Sequence, residues 1–160
     1  MSQIYLSLGT NLGDRPVNLQ KTLAFLRRVL AVTEPWGLTD RPAFLIRCVA
    51  LQAGLPPHDF LCLCQSIEAK VGRRPTYKWG PRLIDIDILF YDDQVIGDET
   101  LTIPHPFVGE RAFVLAPLAD IAPDFVHPQT GETVVQMLAQ MYSTAVYRLP
   151  HQPAMMGVGD

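Results

Sequence analysis

Two aspartates, Asp85 and Asp87, lie in the run Leu83-Ile-Asp-Ile-Asp-Ile-Leu-Phe90. In a strand, residues two apart share a face. The two carboxylates therefore stand side by side, while Ile84, Ile86, Ile88 and Phe90 form an opposite, apolar face that buries. Like charges held so close repel, and a cation between them relieves the repulsion. Hard oxygen donors beside basic residues point to Mg2+ shared with phosphate oxygens. A bare Asp-x-Asp equally fits the solvated acidic face of an edge strand, so the neighbours must decide. Arg73, Arg74, Lys78 and Arg82 all fall within residues 73–87. An arginine three residues before the acidic pair can face polyphosphate while the aspartates hold the metal. Trp79 offers a ring that can stack on a flat ligand. Salt bridges among these groups are the bland alternative. Further on, His105 in Thr102-Ile-Pro-His-Pro106 is followed by Arg111 and Phe113, although a lone histidine carries little weight by itself.

Elements that position these residues can be read from periodicity. Ile4, Leu6 and Leu8 alternate with Tyr5 and Ser7 as in a short strand ending at Gly9. After a two-glycine loop, Leu19, Leu23, Leu26 and Leu30 share one face of a helix over residues 16–30. Residues 33–42, with two prolines, a glycine and Trp36, read as a loop. Leu45 to Leu51 has the apolar run of a strand. Pro56-Pro57 opens a second helix with the stripe Phe60, Leu63, Cys64, Ile67 and Val71, and Gly72 stops it. Behind the Asp85–Asp87 strand, Tyr91-Asp-Asp-Gln turns into a short return strand at Val95-Ile96. Glu110 to Ala116 suits a short helix that ends or bends at Pro117, and Thr133-Val-Val-Gln136 has the capping-box pattern of a last helix running to about Met141. One domain over residues 1–147 is expected, with 148–160 a loose tail.

Composition narrows the partners. With 48% hydrophobic and 18% charged residues, the 160-residue chain can bury a core and is not a disordered one. Its net charge of -3 argues against nucleic acid or an anionic membrane as the main partner. No apolar run is long enough to span a bilayer, and the N-terminus lacks the pattern of a secretory signal. Cys48, Cys62 and Cys64 have no metal-type spacing, so reduced thiols and a cytoplasmic location are expected. The 14 prolines sit in no low-complexity tract and must punctuate short connections or shape a site.

The order of motifs resembles the 6-hydroxymethyl-7,8-dihydropterin pyrophosphokinase family. The resemblance rests on Leu6-Ser-Leu-Gly-Thr-Asn-Leu-Gly-Asp14, Ile67-Glu68 with Gly72-Arg73, Trp79-Gly-Pro-Arg-Leu-Ile-Asp-Ile-Asp87, Thr102-Ile-Pro-His105, and Arg111-Ala-Phe-Val-Leu-Ala-Pro-Leu118 with Ile121-Ala-Pro123. It implies Mg2+-dependent transfer of pyrophosphate from ATP to the hydroxymethyl group of the pterin, leaving AMP, in folate synthesis. Two Mg2+ ions on Asp85 and Asp87 are implied, with Arg73 and Arg82 in the catalytic set. Gln65, Glu68, Arg73, Arg74, Arg82, Ile88, Thr102, His105 and Arg111 would meet ATP. Thr33, Pro35, Gly37, Phe44, Trp79 and Phe113 would surround the pterin. The implied fold is a ferredoxin-like α+β sandwich on a mainly antiparallel sheet. ATP and the reduced pterin would be the only partners, and a monomer is expected, with a dimer as the alternative.

The chain departs from the family pattern in ways that carry expectations. Only Ala31 and Val32 separate the first helix from Thr33, so the second strand is expected to be shortened or missing. Ile46 stands where the family has an asparagine on the pterin edge, and Pro75 and Pro106 also replace other residue types. Arg74 would substitute, by a shift of register, for the phosphate-binding arginine expected at Pro75. The alternative reading these departures motivate is a weakened nucleotide-binding paralogue with an altered pterin pocket.

Overall fold

A computed structural model describes residues 1–29, 31–40, 45–72 and 84–145, with backbone alone for residues 29, 31–40 and 142–145. Apolar alternation at Ile4, Leu6 and Leu8 produces strand β1 (Ser2–Thr10), which pairs antiparallel with both β3 (Leu45–Ala53) and β4 (Asp85–Tyr91). Strand β2 (Ala31–Asp40) adds to the far side of β3, giving the order β2-β3-β1-β4. This antiparallel order, with helices crossing one face, is the ferredoxin-like α+β arrangement expected from the sequence.

The second strand is neither missing nor shortened: β2 is ten residues long and occupies the stretch read as a loop. Its pairing with β3 is irregular, since Thr33 opposes Ala50 whereas Gly37 opposes Cys48. Four residues of β2 thus span two of β3, and Pro35, which has no N–H to donate, falls inside that irregular step. An edge strand tolerates proline at such a bulge.

Helices α1 (Arg15–Val29) and α2 (Pro57–Val71) cover one face of the sheet. Asp14 caps α1 through its carboxylate, which accepts the Val17 N–H at 3.2 Å. Gly72 ends α2 in the left-handed region at φ 119°, where a Cβ would be strained. Leu19, Leu23 and Leu26 of α1 and Phe60, Cys64, Ile67 and Val71 of α2 pack on Ile4, Leu6, Leu8, Ile84, Ile86 and Ile88.

The other face is covered by α3 (Ala112–Ile121) and α4 (Val134–Ala145). Helix α3 runs through Pro117 rather than ending there. The ring forfeits one backbone bond, but Val114, Leu115, Pro117 and Leu118 are all buried, and that packing carries the helix past it. The capping box at Thr133 and Gln136 forms in both directions, at 2.8 and 3.1 Å, and α4 continues to Ala145. A hairpin of β5 (Ile96–Gly97) and β6 (Thr102–Ile103) lies beside β4.

Phe90 does not share the face of Ile84, Ile86 and Ile88. The register steps from Leu6–Ile88 to Tyr5–Phe90, so Leu89 is an extra residue. Beyond this bulge the alternation inverts. Phe90 packs with Leu89, Val114 and Leu118 under α3, while Tyr91 takes its place beneath α2. Phe90 is buried, as expected, but against the opposite layer. The tail at 148–160 lies outside the described residues.

Candidate active site

Asp85 and Asp87 lie on the α3 side of β4, the outermost strand beside β1. Cross-strand pairing extends two rows from them over the sheet. One runs Asp85, Gly9, Ile46, Thr39; the next runs Asp87, Ser7, Cys48, Gly37. Gly9 leaves the first row without a side chain between Ile46 and Asp85. A Cβ built there would lie 3.8 Å from Ile46 Cγ1, which places Ile46 on the site face of the sheet. Both aspartates are half-buried, so their carboxylates are held by the strand yet reach solvent. Two hard oxygen donors on one open face fit Mg2+ that completes its shell with a ligand's oxygens.

Facing them is the segment after β6. His105 donates its backbone N–H to the Leu89 carbonyl at 3.0 Å, which anchors it to β4. Its Nδ1 accepts the Phe107 N–H at 3.2 Å. Nδ1 is therefore unprotonated and Nε2 carries the proton of the neutral ring. Nε2 lies 3.9 Å from Asp87 Oδ1, too far for a hydrogen bond. The ring is neutral in the free protein: burial, helped by the Arg111 charge, lowers its pKa to about 4 against the opposing pull of Asp85. The 3.9 Å approach is thus a neutral donor facing a carboxylate across a gap.

Arg111 is the N-cap residue just before α3, and its guanidinium sits 5.1 Å over the Phe107 ring and 6.0 Å over Phe113. Two rings hold this cation toward the site. Phe107 also meets His105 edge-on at 6.0 Å. The sequence reading overlooked Phe107, although an aromatic two residues beyond the histidine was its visible signal. Ser7, buried in the row beside Asp87, was likewise read only as part of a strand.

The structure thus brings Asp85, Asp87, His105, Arg111 and Phe113 to one end of the sheet. Thr102 is exposed on β6 and Gln65 exposed on α2, flanking the outer edge of β4. Ile88 does not join them with its side chain, which is buried under α1 and α2; only its backbone lies on that edge. Glu68 is also buried, and its Oε2 accepts the Ile86 N–H at 2.8 Å instead of lining a surface. Thr33, Pro35 and Gly37 lie on β2, across β3 from β1, and α3 packs over β2 and β3. Phe44, Arg73, Arg74, Pro75, Trp79 and Arg82 lie outside the described residues. Ile46 is 6% exposed and packs with the cluster beneath α3, beside Cys48, whose thiol donates to the Val114 carbonyl.

Comparison with known proteins gives the arrangement its context. The profile of the family described as 7,8-dihydro-6-hydroxymethylpterin-pyrophosphokinase matches residues 5–123. A 2-amino-4-hydroxy-6-hydroxymethyldihydropteridine pyrophosphokinase of Methylorubrum extorquens is 45% identical over 159 residues, covering 93% of this chain and 99% of that protein. One of the same name from Synechocystis is 39% identical over 151 residues, covering 89% of this chain and 77% of the relative. Among solved structures, wild-type Plasmodium falciparum HPPK-DHPS superposes with a TM-score of 0.70 at 16% identity, over 92% of this chain. This chain spans 45% of that bifunctional one, and the likeness speaks for the fold alone. With the profile covering most of the chain and relatives this similar along nearly their whole length, the chain belongs to the 7,8-dihydro-6-hydroxymethylpterin-pyrophosphokinase family and is an ATP-dependent pyrophosphokinase.

Proposed function

We propose that pyrophosphate transfer from ATP to 6-hydroxymethyl-7,8-dihydropterin takes place over the β4–β1 end of the sheet, with Asp85 and Asp87 holding two Mg2+ ions. One observation carries this reading: the two carboxylates share a half-exposed face of β4, with His105 Nε2 3.9 Å from Asp87 Oδ1. Asp85 and Asp87 would hold the cation, and the His105 Nε2–H would be free to donate to a phosphate oxygen of the nucleotide. Bound there, Mg2+ supplies charge neutralisation on the triphosphate and polarises its β-phosphorus. His105 donates Nε2–H to a phosphate oxygen, and Arg111, kept rigid between Phe107 and Phe113, adds a fixed positive charge. The pterin hydroxyl oxygen attacks the β-phosphorus in line; the new O–P bond forms as the bond from that phosphorus to the α,β-bridging oxygen breaks, AMP leaves with the bridging oxygen, and the hydroxyl proton passes to solvent.

The nucleotide lies along the outer edge of β4, between Gln65 of α2 and Thr102 of β6, with Arg73, Arg74 and Arg82 supplying further phosphate contacts. The pterin lies toward β2, against Phe113 and Trp79, with Thr33, Pro35, Gly37 and Phe44 around it. The activity is that of one domain over residues 1–147, acting as a monomer on two small molecules. Three free cysteines accord with a reducing, cytoplasmic setting.

Calorimetric titration of the pterin into protein holding Mg2+ and a non-hydrolysable ATP analogue tests the assignment. Saturable binding of about one ring per chain is expected, weakened at least tenfold by Asp85→Ala. A ring that fails to bind while the analogue binds would overturn it, as would affinity unchanged in the variant.

A further inference from the structure

Glu68 is a carboxylate where carboxylates seldom lie: 7% exposed, on the sheet-facing side of α2 among Phe60, Cys64, Ile67 and Val71. Its Oε2 accepts the backbone N–H of Ile86 at 2.8 Å. Ile86 is the residue between Asp85 and Asp87. Among the described residues β4 has β1 on one side and no further strand of its sheet on the other, so an N–H directed outward there finds no partner in that ladder. Glu68 supplies the partner from a helix, and a charged acceptor makes that bond stronger than an ordinary amide pair. Cys64, one turn earlier on α2, reports the same proximity. Its thiol is pushed up first by burial and then by the charges of Glu68 and Asp87.

We propose that Glu68 is a positioning residue for the aspartate pair, fixing through the Ile86 N–H the height and twist of the strand that presents both carboxylates. The inference rests on Asp85 and Asp87 being the metal-holding pair, and it gives Glu68 a task other than contact with the nucleotide.

Glu68→Leu and Glu68→Gln, in the full chain, separate the bond from the charge. Leucine fills the space and cannot accept the bond; glutamine keeps an acceptor oxygen and loses the charge. Two readouts are taken, amide hydrogen exchange at residues 85–87 without metal, and Mn2+ affinity by relaxation enhancement with a non-hydrolysable ATP analogue present. For Glu68→Leu, exchange at Ile86 accelerates about tenfold or more and Mn2+ affinity falls about tenfold, the loss of one buried hydrogen bond. The KM for ATP at saturating metal stays within about twofold and the deficit lies in kcat. Glu68→Gln restores Mn2+ affinity to within about threefold of the parent.

Unchanged protection of the Ile86 amide in Glu68→Leu would overturn the proposal. So would a glutamine variant as weak for Mn2+ as the leucine one, which assigns the effect to charge. A raised KM for ATP with Mn2+ affinity intact would assign Glu68 to the nucleotide instead. Should Glu68→Leu not fold, Glu68→Asp, one methylene too short to reach Ile86, carries the same expectation. Absence of Mn2+ binding by the parent itself would refute the metal-pair reading on separate grounds.

Discussion

Asp87→Asn should make the metal-free protein more stable while abolishing its reaction. Residues two apart on a strand rise by about 6.6 Å, so the two carboxylates repel by roughly 0.6 kcal/mol in a water-like dielectric and about 2.5 kcal/mol at an effective dielectric of 20. The Asp87 side chain is 32% exposed, which favours the lower part of that range. Asparagine keeps the shape and one acceptor oxygen and removes the charge that repels Asp85. A gain of about 1 kcal/mol corresponds to a rise in Tm of roughly 2–4 °C for a chain of this size. The rise should shrink as salt screens the pair. In the parent, Mg2+ with a non-hydrolysable ATP analogue at a hundredfold its Kd should add about 2.7 kcal/mol, and the variant should lose most of this gain. Thermal melts in chelator at low ionic strength, with and without Mg2+ and the analogue, give both numbers, and AMP formation gives the activity. A variant less stable than the parent without metal, or one turning over within about threefold of it, would refute the reasoning.

Other consequences follow from the same geometry. Ile46→Asn puts an amide into the cluster beside Cys48 and Val114, on the row that ends at Asp85. It should cost about 2–4 kcal/mol of stability in denaturant titrations yet tighten pterin binding about tenfold, and weaker pterin binding would count against the ring lying on this row. His105 has a folded pKa of about 4, below its ordinary 6.5. The unfolded chain therefore takes up that proton first, and stability falls as pH drops from about 6.5 to 4. His105→Gln should flatten that fall by roughly 2 kcal/mol after allowance for solvent screening, read as urea midpoints at pH 7 and pH 4.5. Cys62 is exposed, whereas Cys48 and Cys64 are buried with thiols pushed up by desolvation. A thiol reagent should modify one cysteine in the native protein and all three on unfolding.

Much of the framework was legible because its signals are local. Gly72 at the end of α2, the Thr133–Gln136 box and the Asp85–Asp87 strand each announce themselves within a few residues. Strand β2 did not, because Pro35 and Gly37 carry the composition of a turn. Only β3, already in place, reveals that the stretch pairs. The face of Phe90 depends on a bulge at Leu89, and no alternation within one strand can disclose where its partner loses step. Whether the helix ends or bends at Pro117 stayed open in the sequence because the packing that outweighs its missing bond comes from residues distant along the chain. At the site, residue types and spacing singled out the aspartates as a pair, whereas His105 and Arg111 gained weight only from the family resemblance. The bond from Glu68 to Ile86 joins residues 18 apart and could be seen only once α2 lay against β4.

The central claim is that this chain, departures included, transfers an intact pyrophosphoryl group to the pterin. Purified protein given Mg2+, ATP labelled at the β- and γ-phosphates, and 6-hydroxymethyl-7,8-dihydropterin tests it directly by product analysis. One AMP is expected for each pterin diphosphate, with both labels on the pterin. Formation of ADP, or AMP released without labelled pterin, would contradict it.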